Sequence, residues 1–248
     1  MSVSLRQLAL ASVTAIGLSY GVATPAQALT QLGFILDSSG SIGAGNWSTI
    51  TSGLAGAVTS VVPQNGTYQI TVVSFSTSAT TVVSPTILTA ATAPGIASAI
   101  SSAPFLNANT NYTAAFNLMQ SLLAPTIASA ASSYVNFATD GDPNDGGNGV
   151  PARNALIASG VDNLSIEGIG GGVNVSFLTN QICYPGPCTI APSFNFPAQG
   201  FYIPVANANA YESAVRQKIA IIVNVPEPAS MALLGMGLLG LGFAARRK

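Results

Sequence analysis

Five side-chain oxygens, divided among three short segments, carry the chemistry legible in this chain. Asp37, Ser39 and Ser41 stand in Asp-Ser-Ser-Gly-Ser, Thr110 in Asn-Thr-Asn-Tyr-Thr, and Asp140 in Phe-Ala-Thr-Asp-Gly. Two carboxylates and three hydroxyls form a hard-oxygen donor set, the chemistry that suits Mg²⁺, with Mn²⁺ or Ca²⁺ as the other ions it would accept. Neutral hydroxyl donors leave such an ion net electrophilic, so a remaining position can take a carboxylate from a partner. Without a cation, Asp37 and Asp140 repel each other and their loops loosen. Asp-x-Ser-x-Ser alone is a weak signal in a Ser-rich chain. Its occurrence with Thr110 and then Asp140, each in the expected order and two of them directly after apolar runs, is far more specific. Thr113 is the alternative hydroxyl in the second segment.

Other chemistries find little support. The chain has no His to serve as a base. Lys218 falls in the closing helix, far from the five oxygens, and Glu167 lies mid-strand, where it reads as facing a sheet edge or a loop. Gly168, Gly170, Gly171 and Gly172 lack the Lys-Ser/Thr ending of a phosphate loop. Asp142 and Asp145 invite a calcium-loop reading, but an EF-hand needs Gly at its sixth position, which here is Asp145. They read as a solvated loop adding negative potential near the site. The expectation is a binding protein and not an enzyme.

The elements that must position these residues follow from apolar runs bounded by turn residues. Strands are predicted at 32–36, 68–75, 79–83, 134–139, 164–169 and 201–205, and Pro204 argues that the last lies at a sheet edge. Helices are predicted at 46–62, 96–100, 114–123, 150–159 and 208–222, with Pro151 placed where a first helical turn tolerates it. Residues 170–200 read as an elaborated loop with a short helix near 175–178. Strands without polar alternation, alternating with helices, predict an α/β fold: a single doubly wound, Rossmann-like, mostly parallel sheet with helices on both faces. In such sheets ligands bind outside the carboxyl ends of the strands, where Asp37–Ser41 and Asp140 fall.

On these residues the chain resembles the von Willebrand factor A domain, with a complete metal-ion-dependent adhesion site. Phe34-Ile-Leu-Asp-Ser-Ser-Gly-Ser-Ile42 is similar to that family's first strand, loop and helix start. Val72-Val-Ser-Phe-Ser76 resembles its second strand, Thr110-Asn-Tyr-Thr-Ala-Ala its threonine loop, and Phe137-Ala-Thr-Asp-Gly141 its fourth-strand motif. The resemblance implies that the hydroxyls of Ser39, Ser41 and Thr110 coordinate the metal and that Asp37 and Asp140 bind it directly or through water. One departure is Ala108-Asn109 where the family often has Gly-Gly. Asn tolerates left-handed backbone angles, so the loop is expected to survive.

Both ends read as targeting segments. Arg6, an apolar stretch over 8–23 and Ala26-Gln27-Ala28 make a secretory signal peptide covering 1–28. At the other end, Pro226-Glu227-Pro228 precedes an uncharged apolar run over 229–245 and the closing Arg246-Arg247-Lys248. That run would make a helix of roughly 25 Å, a short transmembrane span. Residues 226–248 resemble the PEP-CTERM sorting signal of Gram-negative bacteria, which implies transient inner-membrane anchoring and removal by an exosortase-type protease after signal peptidase has acted. The domain itself is then 29–225.

Within that domain three basic residues, Arg153, Arg216 and Lys218, face seven acidic ones, which removes any electrostatic basis for nucleic-acid binding. The two cysteines, Cys183 and Cys188, flank Tyr-Pro-Gly-Pro. In an exported chain, with Pro-Gly as a turn, they are expected to form a local disulfide. The expected function is an exported protein of the cell surface, outer membrane or extracellular matrix that uses a divalent cation to bind an acidic group of a protein or exopolysaccharide. The alternatives are a matrix component in which the metal only stabilises the fold, and a permanently membrane-anchored scaffold.

Overall fold

The run Leu29–Asp37 contains four apolar residues in its last five before the aspartate and forms β1, buried along nearly its whole length. A computed structural model describes residues 29–224; the expected signal peptide and the expected sorting tail lie outside the described residues. The chain continues through α1 (Ala44–Val61), β2 (Asn65–Phe75), β3 (Ala79–Thr89), α2 (Ala93–Ser101), α3 (Tyr112–Ile127), β4 (Ala130–Thr139), α4 (Val150–Ala158), β5 (Asn163–Ile169), the short α5 (Val175–Phe177), β6 (Thr189–Ile190), β7 (Phe201–Val205) and α6 (Ala208–Val223).

The strands form one sheet in the order β3-β2-β1-β4-β5-β7-β6. All pairings are parallel except β2 with β3, which are joined by a tight connection and run antiparallel. The strand period of two sorts side chains onto two faces. Leu32, Phe34 and Leu36 join α1, α2 and α6 in one core layer. Ile35, with Val73, Phe75 and Phe137, packs against α3 and α4 in the other. The α/β, mostly parallel, doubly covered sheet is therefore present as the sequence implied.

Local chemistry explains the helices. In α1 the buried positions include Trp47, Ile50, Leu54 and Val58, the three-to-four spacing of a one-sided helix, and the Trp47 indole N–H donates to the Ala103 carbonyl at 2.7 Å. The Asn111 side chain caps α3 by accepting from the Ala114 N–H at 3.0 Å. A Cβ on Gly33 would sit 2.9 Å from the Met119 sulfur, so glycine in β1 lets α3 lie close to the sheet.

Three details depart from expectation. The third strand runs on to Thr89, well past 83. A two-residue strand, β6, pairs with Phe201 and Tyr202 outside β7, so β7 is not the outermost strand. Pro204 lies beyond the reach of β6 and faces Gly168 of β5 on its other side, so its missing N–H costs no ladder bond there. The short helix at 175–177 runs into a π-turn at Leu178–Ile182. After it, Cys183 and Cys188 are bonded, with sulfurs 1.87 Å apart, and Arg153 ties that turn down by donating to the carbonyls of Ile182 (2.7 Å) and Cys183 (2.6 Å).

Candidate metal centre

Asp37 ends β1 and is buried, with only 2% of its surface exposed. One carboxylate oxygen, Oδ1, accepts the Ser39 backbone N–H at 2.9 Å. The other, Oδ2, accepts the Thr139 hydroxyl at 2.7 Å, reaching across from the end of β4. From there the oxygens form a chain. The Ser39 and Ser41 hydroxyls are 3.1 Å apart, and Ser41 donates to Asp140 Oδ1 at 2.7 Å across 99 residues of sequence. Residues from the first and third segments thus share one site at the carboxyl end of the sheet.

Backbone bonds stitch the second segment between the other two. Gly40 N–H donates to the Ala108 carbonyl at 2.8 Å, Asn107 N–H to the Ser38 carbonyl at 3.0 Å, and Leu106 N–H to the Ser38 hydroxyl at 2.9 Å. Thr110 N–H donates to the Asn144 side-chain oxygen at 2.8 Å, and the Thr110 carbonyl accepts from the N–H groups of Asn144 (3.0 Å) and Asp145 (3.2 Å). The Thr110 side chain is buried in this seam. Thr113, the alternative hydroxyl, is instead committed to the Gly146 carbonyl at 2.7 Å. The left-handed residue in this loop is Asn107, φ 51°, and not Asn109, whose tolerance of such angles the sequence reading relied on.

Thr139, Tyr112 and Asn144, which sequence reasoning passed over, hold the site. Thr139 orients Asp37. The Tyr112 hydroxyl donates to the Gly141 carbonyl at 2.6 Å. Asn144 clamps Thr110, and Asp142 Oδ1 accepts the Asn174 N–H at 2.9 Å, so the acidic loop is tethered on that side. The glycine run after β5 also has a defined place: a Cβ on Gly172 would come within 2.6 Å of the Asp140 carbonyl oxygen. Thr139 was open to detection, because it neighbours Asp37 across the β1–β4 pairing; the others are set by loop contacts.

Burial dominates the electrostatics. It pushes the Asp37 carboxyl up from its usual 3.8 to about 6, against the hydrogen bonds from Ser39 and Thr139 that favour the ionised form. It also raises Asp140, against the bond from Ser41. Two carboxylates held close in a partly dry site call for a positive partner.

The donor set fits a hard divalent ion. Oxygens bound at right angles, each 2.0–2.1 Å from Mg²⁺, stand about 2.9 Å apart; the Ser39–Ser41 and Ser41–Asp140 separations, 3.1 and 2.7 Å, bracket that edge. No group of three or more His, Cys, Asp or Glu among the described residues is placed to hold a metal, so hydroxyls would supply part of any shell at this site. That requirement favours hard cations over soft ones.

Parallel strands between two helical layers, with polar loops gathered at their carboxyl ends, define an α/β domain of the Rossmann-like class. The family model of the von Willebrand factor type A domain matches residues 31–197, and the chain belongs to that family. A second model, the PEP-CTERM protein-sorting motif, matches residues 224–248 and marks the chain for export to a surface or extracellular location. No curated protein matches the sequence.

Among solved structures, proximal thread matrix protein 1 from the mussel byssus is similar at 17% identity and a TM-score of 0.61, over 80% of this chain and 48% of that one. A form of that protein has a zinc-occupied MIDAS motif (TM-score 0.60). A von Willebrand factor type A structure from Catenulispora acidiphila is 14% identical over 78% of this chain and 42% of that one, with a TM-score of 0.60. The pilus adhesin SpaC from Lactobacillus rhamnosus GG is 12% identical over 79% and 31%, with a TM-score of 0.59. At these identities the likeness is one of fold. The chain spans about half the length of the mussel protein it matches.

Proposed function

We propose that this is an exported surface or matrix protein that binds an acidic group of a partner protein or exopolysaccharide through a divalent cation. Asp37, Ser39, Ser41, Thr110 and Asp140 hold the ion, Mg²⁺ in the first instance. Residues 1–28 direct export, 29–225 form the binding domain, and 226–248 anchor the chain transiently until an exosortase-type protease removes them. The observation that carries the reading is the continuous line of side-chain oxygens from Ser39 through Ser41 to Asp140, which links two loops for which a sheet alone needs no such link.

The residues divide the work. Asp37 is fixed from both sides by Ser39 and Thr139, so its lone pairs are aimed before any ion arrives. Ser39 and Ser41 donate within the site and can turn their lone pairs inward at small cost, because a hydroxyl proton rotates freely. Asp140 is half-buried and supplies the second negative charge. Tyr112 and Asn144 keep the loops at Gly141 and Thr110 in place. A bound Mg²⁺ supplies a Lewis-acidic point that an incoming carboxylate can join.

The test is capture by the immobilised full-length chain, in detergent, from the producing cell's surface and matrix extract. It is run in Mg²⁺, in EDTA, and with Asp37→Ala shown to be folded. Capture only with Mg²⁺ and the intact site supports adhesion and yields the ligand. Equal capture in all three arms, or none, overturns it and leaves a matrix component whose cation serves the fold.

A further inference from the structure

Away from the cation site, three chemically complementary side chains meet in the dry layer beneath α6. Asn136 comes from the middle of β4, Glu167 from β5 and Lys218 from α6, and they are 3%, 0% and 0% exposed. The sequence had placed Glu167 at an edge or loop; it stands in the core because β5 is an interior strand with both faces covered. Lys218 Nζ donates to Glu167 Oε2 at 3.0 Å, and the Phe201 ring lies 5.5 Å from the same nitrogen.

Burial raises the Glu167 carboxyl, and the Asn136 amide, on the same face of the sheet two residues before Glu167's register partner Ala138, opposes that rise only in part. Even so, the contact lacks the geometry of a completed hydrogen bond: Asn136 Oδ1 and Nδ2, Glu167 Oε1 and the Tyr211 hydroxyl are all buried without a partner. Four unpartnered polar atoms gathered at one buried ion pair are costly. A buried pair of this kind is weak as a stabilising device, so its value must lie elsewhere.

We propose that Lys218 and Asn136 become joined by a self-formed isopeptide bond, with Glu167 as the acid–base group that makes it. Lys218 passes a proton to Glu167 along the existing hydrogen bond, which leaves a neutral amine. The Nζ lone pair attacks Asn136 Cγ, forming the Cγ–Nζ bond. Glu167 then gives its proton to Nδ2 and takes one from Nζ. The Cγ–Nδ2 bond breaks, and ammonia leaves. Atoms and charge balance with no oxidant or cofactor, and the reaction occurs once per chain.

The surroundings favour each step. Burial pushes the Lys218 ammonium down to about 8 and the Glu167 carboxyl up, so both partners are biased towards the neutral amine and neutral acid that attack requires. Tyr211 is the other titratable group facing the pair, and burial keeps it a neutral phenol. The product amide places no charge in the core. It ties β4, whose end carries Asp140, to the last described helix. The inference is independent of the cation reading.

Peptide-level mass spectrometry of the folded full-length chain, reduced and then cut at aromatic residues, tests it. The expected product is a branched peptide joining the Asn136 and Lys218 segments, lighter than their sum by one ammonia, in most molecules. It should be absent from Lys218→Arg, which keeps the charge beside Glu167 and so the fold, and from Glu167→Gln. Linear peptides carrying unmodified Asn136 and Lys218 from folded wild-type protein would overturn the cross-link. A branched peptide that persists in Glu167→Gln would overturn the role given to Glu167.

Discussion

Asp37 is the residue on which the proposed site turns, because burial of its charged form is unfavourable without a compensating positive charge. Its folded pKa of about 6 lies above the usual 3.8, so the folded chain holds this proton more tightly than the unfolded chain. Where the folded state binds more protons, stability falls as pH rises. The contribution of Asp37 is therefore most favourable below about pH 4 and declines through pH 6, above which the metal-free protein carries a penalty on the order of 2–3 kcal/mol. Asp37→Asn removes that charge, and the Thr139 hydroxyl can turn to the Gly141 carbonyl, 3.0 Å away. In EDTA at pH 7 the variant should melt higher than wild type and lose the slope between pH 4 and 6. In Mg²⁺ the order should reverse, because only wild type gains from the ion. Thermal melts across pH, with and without Mg²⁺, check both signs.

At the scale of elements, the loops after β1, β4 and β5 behave as one unit. Gly172 sets how closely the β5 exit lies against Asp140. Gly172→Ala forces a methyl group into the Asp140 carbonyl, an overpacking worth about 1–3 kcal/mol. Part of that should appear as a roughly tenfold weaker Mg²⁺ affinity, which is about 1.4 kcal/mol, read by calorimetric titration. A separate prediction concerns the Cys183–Cys188 staple: the double Ser variant should lose about 2 kcal/mol in chemical denaturation, the chain-entropy value for so short a loop.

How these elements were read from sequence depended on what defines them. β1 and β2 were legible because burial on both faces leaves short, largely apolar runs bounded by turn residues, and β4 and β5 because apolar residues recur in them despite the buried Asn136 and Glu167. Strand β6 and the π-turn at Leu178–Ile182 were not, because contacts with β7 and Arg153 create them and no periodicity announces them. Asp37, Ser39, Ser41 and Asp140 come together as their spacing implied. Asn107, Asn144 and Gly172 act through backbone contacts that only the folded loops reveal. Lys218 and Glu167, 51 residues apart, each looked like an isolated charge until two elements met.

The whole molecule is poor in charge, with charged residues only 6% of the sequence. Any attraction to an acidic partner must then come from the bound ion at contact distance and not from a long-range field. Raising NaCl from about 0.05 to about 0.5 M, which shortens the screening length severalfold, should leave Mg²⁺-dependent capture within about twofold. EDTA should abolish it. A pull-down series in salt separates these cases.

The direction of the chain through this fold sets where its two ends lie. β1, β4, β5 and β7 all end at the pole that carries Asp37 and Asp140. α6 starts there, after Val205, and descends until Lys218 lies over Phe201 at the start of β7. Leu29 and Val223 therefore both sit at the far pole. Anything fastened to either end, whether membrane, sorting machinery or matrix, holds the domain by its base and turns the oxygen-lined loops outward. For a domain that binds through those loops, as proposed, the binding face and the point of attachment lie at opposite poles.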